Sequence, residues 1–381
     1  MSTQAGILYG WGANHCGQLG SGPGEDIAKP IVIPHLPPVC KVYTAAMQAY
    51  AIDEQGKVWS WGWDAYSGLL GRGDVKGQAS WLPASLRQKG STGNELPQGD
   101  GGVATPAMIE NLNDIAMLAC CSESTIALSN NGSVWAWGEQ QSVGSPSVNR
   151  RFPTKIEGLE GIVEVFASNG GSCFYALDEL GKVWSWGGGY EGELGHGKRR
   201  NQPKPEIIPG IEHPKQLAPG NYCCWFLDQQ NQLYFWGNGQ SVDIQHKGTL
   251  RIKEPLKIDR FEQPTRLYVN EHYHFIRLAN GNLITPVGDL VEELFDWQLD
   301  TTNPMRLTPI EQFEEINMGA DHGLALDRDG KLFAFGDASQ GALGNGITEE
   351  QRFYLPTAVP LNGRVIQVRA GQNCSFAIIN Q

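Results

Sequence analysis

Charge is scarce in this chain. Asp, Glu, Lys and Arg make up 18% of its 381 residues, against about 25% in an ordinary soluble protein. Bases are scarcest: 29 Lys and Arg face 41 Asp and Glu, for a formal net charge of −12. A grip on a phosphate backbone needs clustered Lys and Arg, so direct nucleic-acid binding is not expected. No apolar run approaches the roughly 18 residues of a membrane span, and no membrane partner is expected. The start, Met1 to Gly6, lacks the basic-then-apolar pattern of a secretory signal, so the expected location is cytoplasmic. The eight cysteines lack metal spacing. Cys120-Cys121 and Cys223-Cys224 are adjacent pairs rather than C-x-x-C, and the eight read as free, buried thiols. G-x-S-x-G, H-E-x-x-H and a phosphate loop ending in Gly-Lys-Ser/Thr are all missing. His272 and His274 would share one side of a strand, with no further metal ligand marked beside them. The expectation is a protein that is not an enzyme and holds no metal or cofactor.

Glycine and tryptophan, by contrast, are plentiful, at 48 and 12 residues. That composition suits short strands joined by tight turns and excludes a disordered chain. The tryptophans fall in a repeat. Lys57-Val58-Trp59-Ser60-Trp61-Gly62 returns as Lys182 to Gly187, and weaker copies end at Gly12, Gly138, Gly237, Gly288 and Gly336. The spacing is about 50 residues, a supersecondary unit used many times. Each copy follows a second apolar run, joined to it by turns such as Asp53-Glu54-Gln55-Gly56 and Asp327-Arg328-Asp329-Gly330. Glycine supplies the positive φ such a turn needs. In Val58 to Trp61 the tryptophans face one way, and Val58 and Ser60 the other. With neither face charged, the strand reads as sandwiched between neighbouring sheets.

The ends complete one another. The chain stops at Ile378-Ile379-Asn380-Gln381, where a Trp-Gly strand is due, and it begins with that strand, Ile7 to Gly12. The expected fold is all-β: a single seven-bladed β-propeller over 1–381, closed by pairing the N-terminal strand with the C-terminal ones. Closure of this kind leaves few free sheet edges. The protein is expected to be a monomer when free.

Trp-Gly followed by G-x-L-G-x-G recurs at Gly17 to Gly22, Gly68 to Gly73, Gly192 to Gly197 and Gly341 to Gly346. With the A-G-x-x-H-x-x-A-L segment, clearest at Gly319 to Leu326, the chain resembles the regulator-of-chromosome-condensation repeat family over nearly its whole length. The resemblance implies a seven-bladed propeller. It also implies a choice of activities: nucleotide exchange on a small nuclear GTPase, interaction modules within larger proteins, or inhibition of β-lactamases. Fold alone does not choose among them. The chain departs from the pattern in two ways. The stretches 138–160, 237–260 and 288–310 lack G-x-L-G-x-G. The repeat histidine, kept at His274 and His322, is replaced by Gln48, Ser124, Cys173, Cys223 and Cys374; all are expected to pack in the core with a local hydrogen bond.

Two segments break the repeat. The insertion 74–105 carries Trp81, Leu82 and Arg87, residue types that anchor interfaces. Asp289 to Glu315 holds eight acids against Arg306 alone, among them Asp289, Glu292, Glu293, Asp296 and Asp300, interleaved with apolar residues such as Trp297. Both follow a Trp-Gly position and so start on one face of the disc, beside the repeat-loop residues Trp63, Asp64, Tyr66, Tyr190 and Glu191. Lys198-Arg199-Arg200 and Arg150-Arg151 are basic exceptions to the acidic face this predicts. The expected function is that of a protein-binding propeller that regulates its partner by occlusion, foremost a stoichiometric inhibitor of a partner with a basic surface, steered there by charge. An exchange factor for a small GTPase and a passive scaffold are the alternatives.

Overall fold

The computed structural model describes residues 4–45, 47–64, 68–73, 102–138, 150–168, 171–240, 248–270, 273–286, 310 and 312–380. Short apolar runs separated by Gly and Asp turns fold as expected into antiparallel sheets. The described residues form seven of them, six of four strands and one of three. Blade 1 pairs Arg364–Ala370 and Cys374–Asn380 with Ile7–Gly12 and Ile27–Val32. Its closing ladder runs from Ile7 opposite Ile379 to Gly12 opposite Cys374, so one sheet is built from both ends of the chain. Blades 2 to 7 begin with Val39–Thr44, Ile115–Cys121, Ile162–Ala167, Pro214–Pro219, Pro264–Val269 and Glu315–Met318. Blade 6 is the three-stranded one, and its third strand is only Leu283–Ile284.

The strands of a blade differ in burial as their sequences require. Gln48–Asp53, the second strand of blade 2, is buried throughout. Val58–Asp64, the third, is nearly so, which is why neither face of the Trp strand carries charge. Fourth strands such as Arg150–Lys155 are mostly exposed. First strands from all seven blades line an axial channel of about 550 Å³.

The expected excursion at 74–105 ends earlier than its sequence pattern implied. Gly102–Met108 is the fourth strand of blade 2, with Gly102 opposite Asp64 and Met108 opposite Trp59. The backbone of 102–105 is therefore ladder, recruited because the Trp strand needs an outer partner for its hydrogen bonds.

Side chains on the first strands tie neighbouring blades together. The Lys41 ammonium donates to the Ala116 carbonyl at 2.7 Å. Gln216 clasps both backbone groups of Leu267, at 2.7 and 2.8 Å. Asn317 Oδ1 accepts from the Ala370 amide at 2.7 Å, and Gln367 Oε1 from Val42 at 2.9 Å. Each reaches the next blade in the same rotational sense, so the polar residues facing the axis act partly as rivets.

Candidate protein-interaction face

The Trp-Gly glycine sets the geometry of one face of the disc. Gly62 has φ +96°, and a Cβ placed on it would lie 2.3 Å from the Met47 carbonyl oxygen. Gly12, Gly187 and Gly237 repeat this arrangement, with φ of +104°, +103° and +102°. Each is paired with the repeat-histidine position: Gly62 with Gln48, Gly187 with Cys173, Gly237 with Cys223. The next residue then bonds to the turn that precedes the second strand, as Trp63 N does to Met47 O at 3.1 Å and Asn238 N to Tyr222 O at 2.9 Å. Turns and post-Trp loops are thereby locked side by side.

The other face carries the Asp turns. Asp53 Oδ1 accepts from the amides of Gln55 and Lys57, and Oδ2 from the Trp59 indole at 2.9 Å. Asp178 repeats all three bonds with Leu180, Lys182 and Trp184. The first Trp of W-x-W-G thus serves its own turn. The second reaches across to the preceding blade's loop: Trp61 Nε1 to Gln18 O, Trp137 to Leu69 O, Trp236 to Glu193 O and Trp11 to Ala342 O, all at 2.7–2.9 Å. Each acceptor precedes the Leu of a G-x-L-G. The same loops bond the next fourth strand, as Gly73 N does to Arg151 O, Gly197 N to Lys253 O and Gly346 N to Ala28 O. Where G-x-L-G is lost before blades 6 and 7, the Trp position holds Pro286 and Phe335, neither of which has an indole N–H to donate, whereas blade 4 keeps Trp186 although 138–160 also lacks the motif.

The sequence-selected residues fare unevenly. Tyr190 projects from this face, its side chain largely exposed at 64%, with its carbonyl held by Arg199 Nε at 2.8 Å. Glu191 is ion-paired to Arg251 at 2.7 Å. Trp63 is half-buried. Asp64 is buried and receives the Leu70 amide at 3.0 Å, so it serves the loop rather than a partner. Tyr66, Trp81, Leu82, Arg87, Asp289, Glu292, Glu293, Asp296, Trp297 and Asp300 lie outside the described residues. Glu314 and Glu315 leave the expected acidic stretch. Glu314 pairs with Arg328 of the Asp327 turn at 2.5 Å, on the opposite face, and Glu315 opens a first strand on the channel. Sequence reasoning missed Tyr222, which is exposed on the turn of blade 5 at φ +55°. The signal was there in Gly220-Asn221-Tyr222, an aromatic residue in the turn position that Met47 fills in blade 2 and Ser172, Asp321 and Asn373 fill elsewhere.

One constellation has the outline of a hydrolase triad. Ser185 Oγ is 3.0 Å from His196 Nε2, and His196 Nδ1 is 3.7 Å from Glu206. The serine is fully buried, and its hydroxyl donates to Leu194 O at 2.7 Å. That leaves the imidazole Nε2–H as donor to the serine, the reverse of what base activation requires. Ser375 repeats the arrangement, donating to Ala342 O at 2.9 Å and receiving from His322 at 2.9 Å. Burial lowers the pKa of both histidines, that of His322 to about 4, so both are neutral at physiological pH. His274 likewise has a local partner, accepting the Trp225 indole at 3.0 Å. Among the described residues no three His, Cys, Asp or Glu side chains gather to hold a metal, and no helix is long and apolar enough to cross a membrane.

Seven radial sheets, a ring closed by its two ends and a loop face stitched by glycine and indole define a β-propeller of the protein-interaction kind. The RCC1-like domain profile matches residues 7–377, and the chain belongs to that family. Over 219 residues it is 32% identical to the human E3 ubiquitin-protein ligase HERC2, a match covering 55% of this chain but 4% of that protein. The chain therefore spans a small fraction of that relative's length. It is 24% identical over 410 residues to the guanine nucleotide exchange factor SRM1 of Saccharomyces cerevisiae, covering 94% of this chain and 83% of the relative. The crystal structure of yeast Prp20p, described with its binding properties to Gsp1p and histones, superposes with a TM-score of 0.76 at 24% identity, covering 100% of this chain and 93% of the other. The cytoplasmic location expected from the missing signal peptide is corrected here. The same yeast propeller is solved bound to Kap60, an importin.

Proposed function

We propose that this propeller is a guanine-nucleotide exchange factor for a small GTPase. One observation carries the reading: the likeness to an exchange factor runs through 94% of this chain and 83% of that relative, so it concerns the whole ring rather than one repeat. The stoichiometric-inhibitor reading has no comparable support and gives way to it. An exchange factor needs no catalytic side chain. It binds the nucleotide-free GTPase more tightly than the loaded one, and that difference in affinity expels the nucleotide. A ring whose loops are pinned by indole and glycine contacts presents such a partner with a surface that costs little to order. The partner face in this reading is the post-Trp loop face, with Tyr190 and Trp63 as aromatic anchors and the acidic stretch that includes Asp289, Glu292, Glu293, Asp296, Trp297 and Asp300 steering a basic partner surface. Trp81, Leu82 and Arg87 of the insertion complete it.

The test is release of labelled GDP from a panel of small GTPases with the propeller at substoichiometric amounts. Multiple turnovers and tightest binding to the nucleotide-free form support exchange. A stable one-to-one complex that blocks the partner's activity returns the inhibitor, and unaltered nucleotide release beside stable binding leaves a scaffold.

A further inference from the structure

The axial channel holds a charge arrangement that the riveting of the ring does not use. Arg369, on the first strand of blade 1, lines it beside Lys41 and Tyr43 of blade 2. The guanidinium lies over the Tyr43 ring, 5.8 Å from its centre, within cation–π range. Lys41 uses one of its three N–H groups on Ala116 O, leaving two. The bond from Val42 N to Gln367 Oε1 joins the two strands between these residues, so the cations cannot drift apart freely. Among the described residues neither cation has a carboxylate within ion-pair distance, and Arg369 has no hydrogen-bond acceptor. Burial depresses the Lys41 pKa, and Arg369 adds to that against opposing pulls from Cys40 and Glu164, as a cation held in a partly dehydrated space beside a like charge requires. Such a pair costs free energy that an anion relieves.

We propose that the channel binds a small oxyanion, a phosphate- or carboxylate-bearing molecule, between the Arg369 guanidinium and the Lys41 ammonium. The guanidinium offers a planar fork that matches two oxygens of either group, and the ammonium a point charge beside it. The volume of about 550 Å³ falls in the range of small-ligand sites. Glu164, also on the wall, disfavours a ligand whose negative charge extends across the channel and so selects a compact anion. This site is independent of the exchange reading, since its ligand is a small molecule and its residues face the axis.

The experiment is calorimetric titration of the intact chain with inorganic phosphate and with acetate, both compact, at constant ionic strength, with chloride as reference. Saturable binding of either anion to the wild type, weakened about tenfold or more in Arg369→Gln, is expected, since a charge-assisted hydrogen bond is lost. Which anion binds distinguishes the two chemistries. Arg200→Gln, on the exposed rim, should keep wild-type affinity. If Arg369→Gln melts abnormally, Lys41→Met carries the comparison. Chloride-like heats with both anions, or equal affinity in a folded channel variant, overturn the site.

Discussion

The indole N–H of Trp61 donates to the carbonyl of Gln18 at 2.7 Å, across the boundary between blades 1 and 2. Trp61 is fully buried, so no water can replace it there. Trp61→Phe keeps most of the apolar packing but leaves a buried carbonyl without that donor. The expected cost is about 1–3 kcal/mol, read as a lower urea midpoint with an unchanged slope. Phe335→Leu, at the equivalent position in blade 7, changes only apolar packing and should cost about 1.5 kcal/mol or less.

Two glycines with similar φ separate backbone strain from steric contact. Gly22 has φ +83° and open space where a Cβ would sit, whereas at Gly62 the Cβ would lie 2.3 Å from Met47 O. Gly22→Ala should cost roughly 1–2 kcal/mol, the left-handed penalty alone. Gly62→Ala must also displace the turn before the second strand, and its expected loss exceeds about 4 kcal/mol. Paired thermal melts check the difference. Equal losses would mean that the close approach at Gly62 relaxes freely.

Much of the fold was legible because the repeat writes its contacts into sequence. The Trp-Gly glycine, the Asp turn and the complementary ends each have one physical cause, and each recurs. The link between a loop and the next blade's Trp is only partly written in sequence: Pro286 and Phe335 follow stretches without G-x-L-G, but so does Trp186, and the contact joins residues of different repeats. The channel was not legible. Its lining comes from first strands, whose axial residues Lys41, Glu164, Gln216, Arg266 and Gln367 hold one register position but share neither side-chain type nor charge, because each answers to a different neighbour. The loop face was readable only as a face: Asp64 and Glu191 fit the acidic pattern, yet one binds the loop backbone and the other Arg251.

Thiol chemistry should follow burial. All eight cysteines are free; Cys40 alone is partly exposed and the others are buried. Burial raises the pKa of Cys16 to about 11 and those of Cys120, Cys223 and Cys374 to about 12, and the thiolate is the reactive form. A maleimide added to native protein at neutral pH should modify Cys40 first, as peptide mapping would report, with the remaining seven reacting only on unfolding. Fast modification at Cys223 or Cys374 would reveal opening of the loop face.

Acid should act on the boundary between blades 7 and 1. His322 belongs to blade 7 and its partner Ser375 to blade 1, and burial lowers the histidine's pKa from 6.5 to about 4 against the pull of Asp337. Between these values the unfolded chain holds more protons at this position than the folded one, so stability rises with pH there. The contribution is complete above about 6.5, falls away as pH drops toward 4, and is flat below that. At about 1.4 kcal/mol per unit, the full swing is roughly 3 kcal/mol. His196, depressed in the same direction by burial, adds to the slope. His322→Gln supplies a neutral side-chain amide to the same serine, and Gln48 already fills the equivalent position in blade 2. That variant should unfold at a urea midpoint less dependent on pH between 6.5 and 4 than the wild type. An unchanged slope would place the acid sensitivity elsewhere than this boundary.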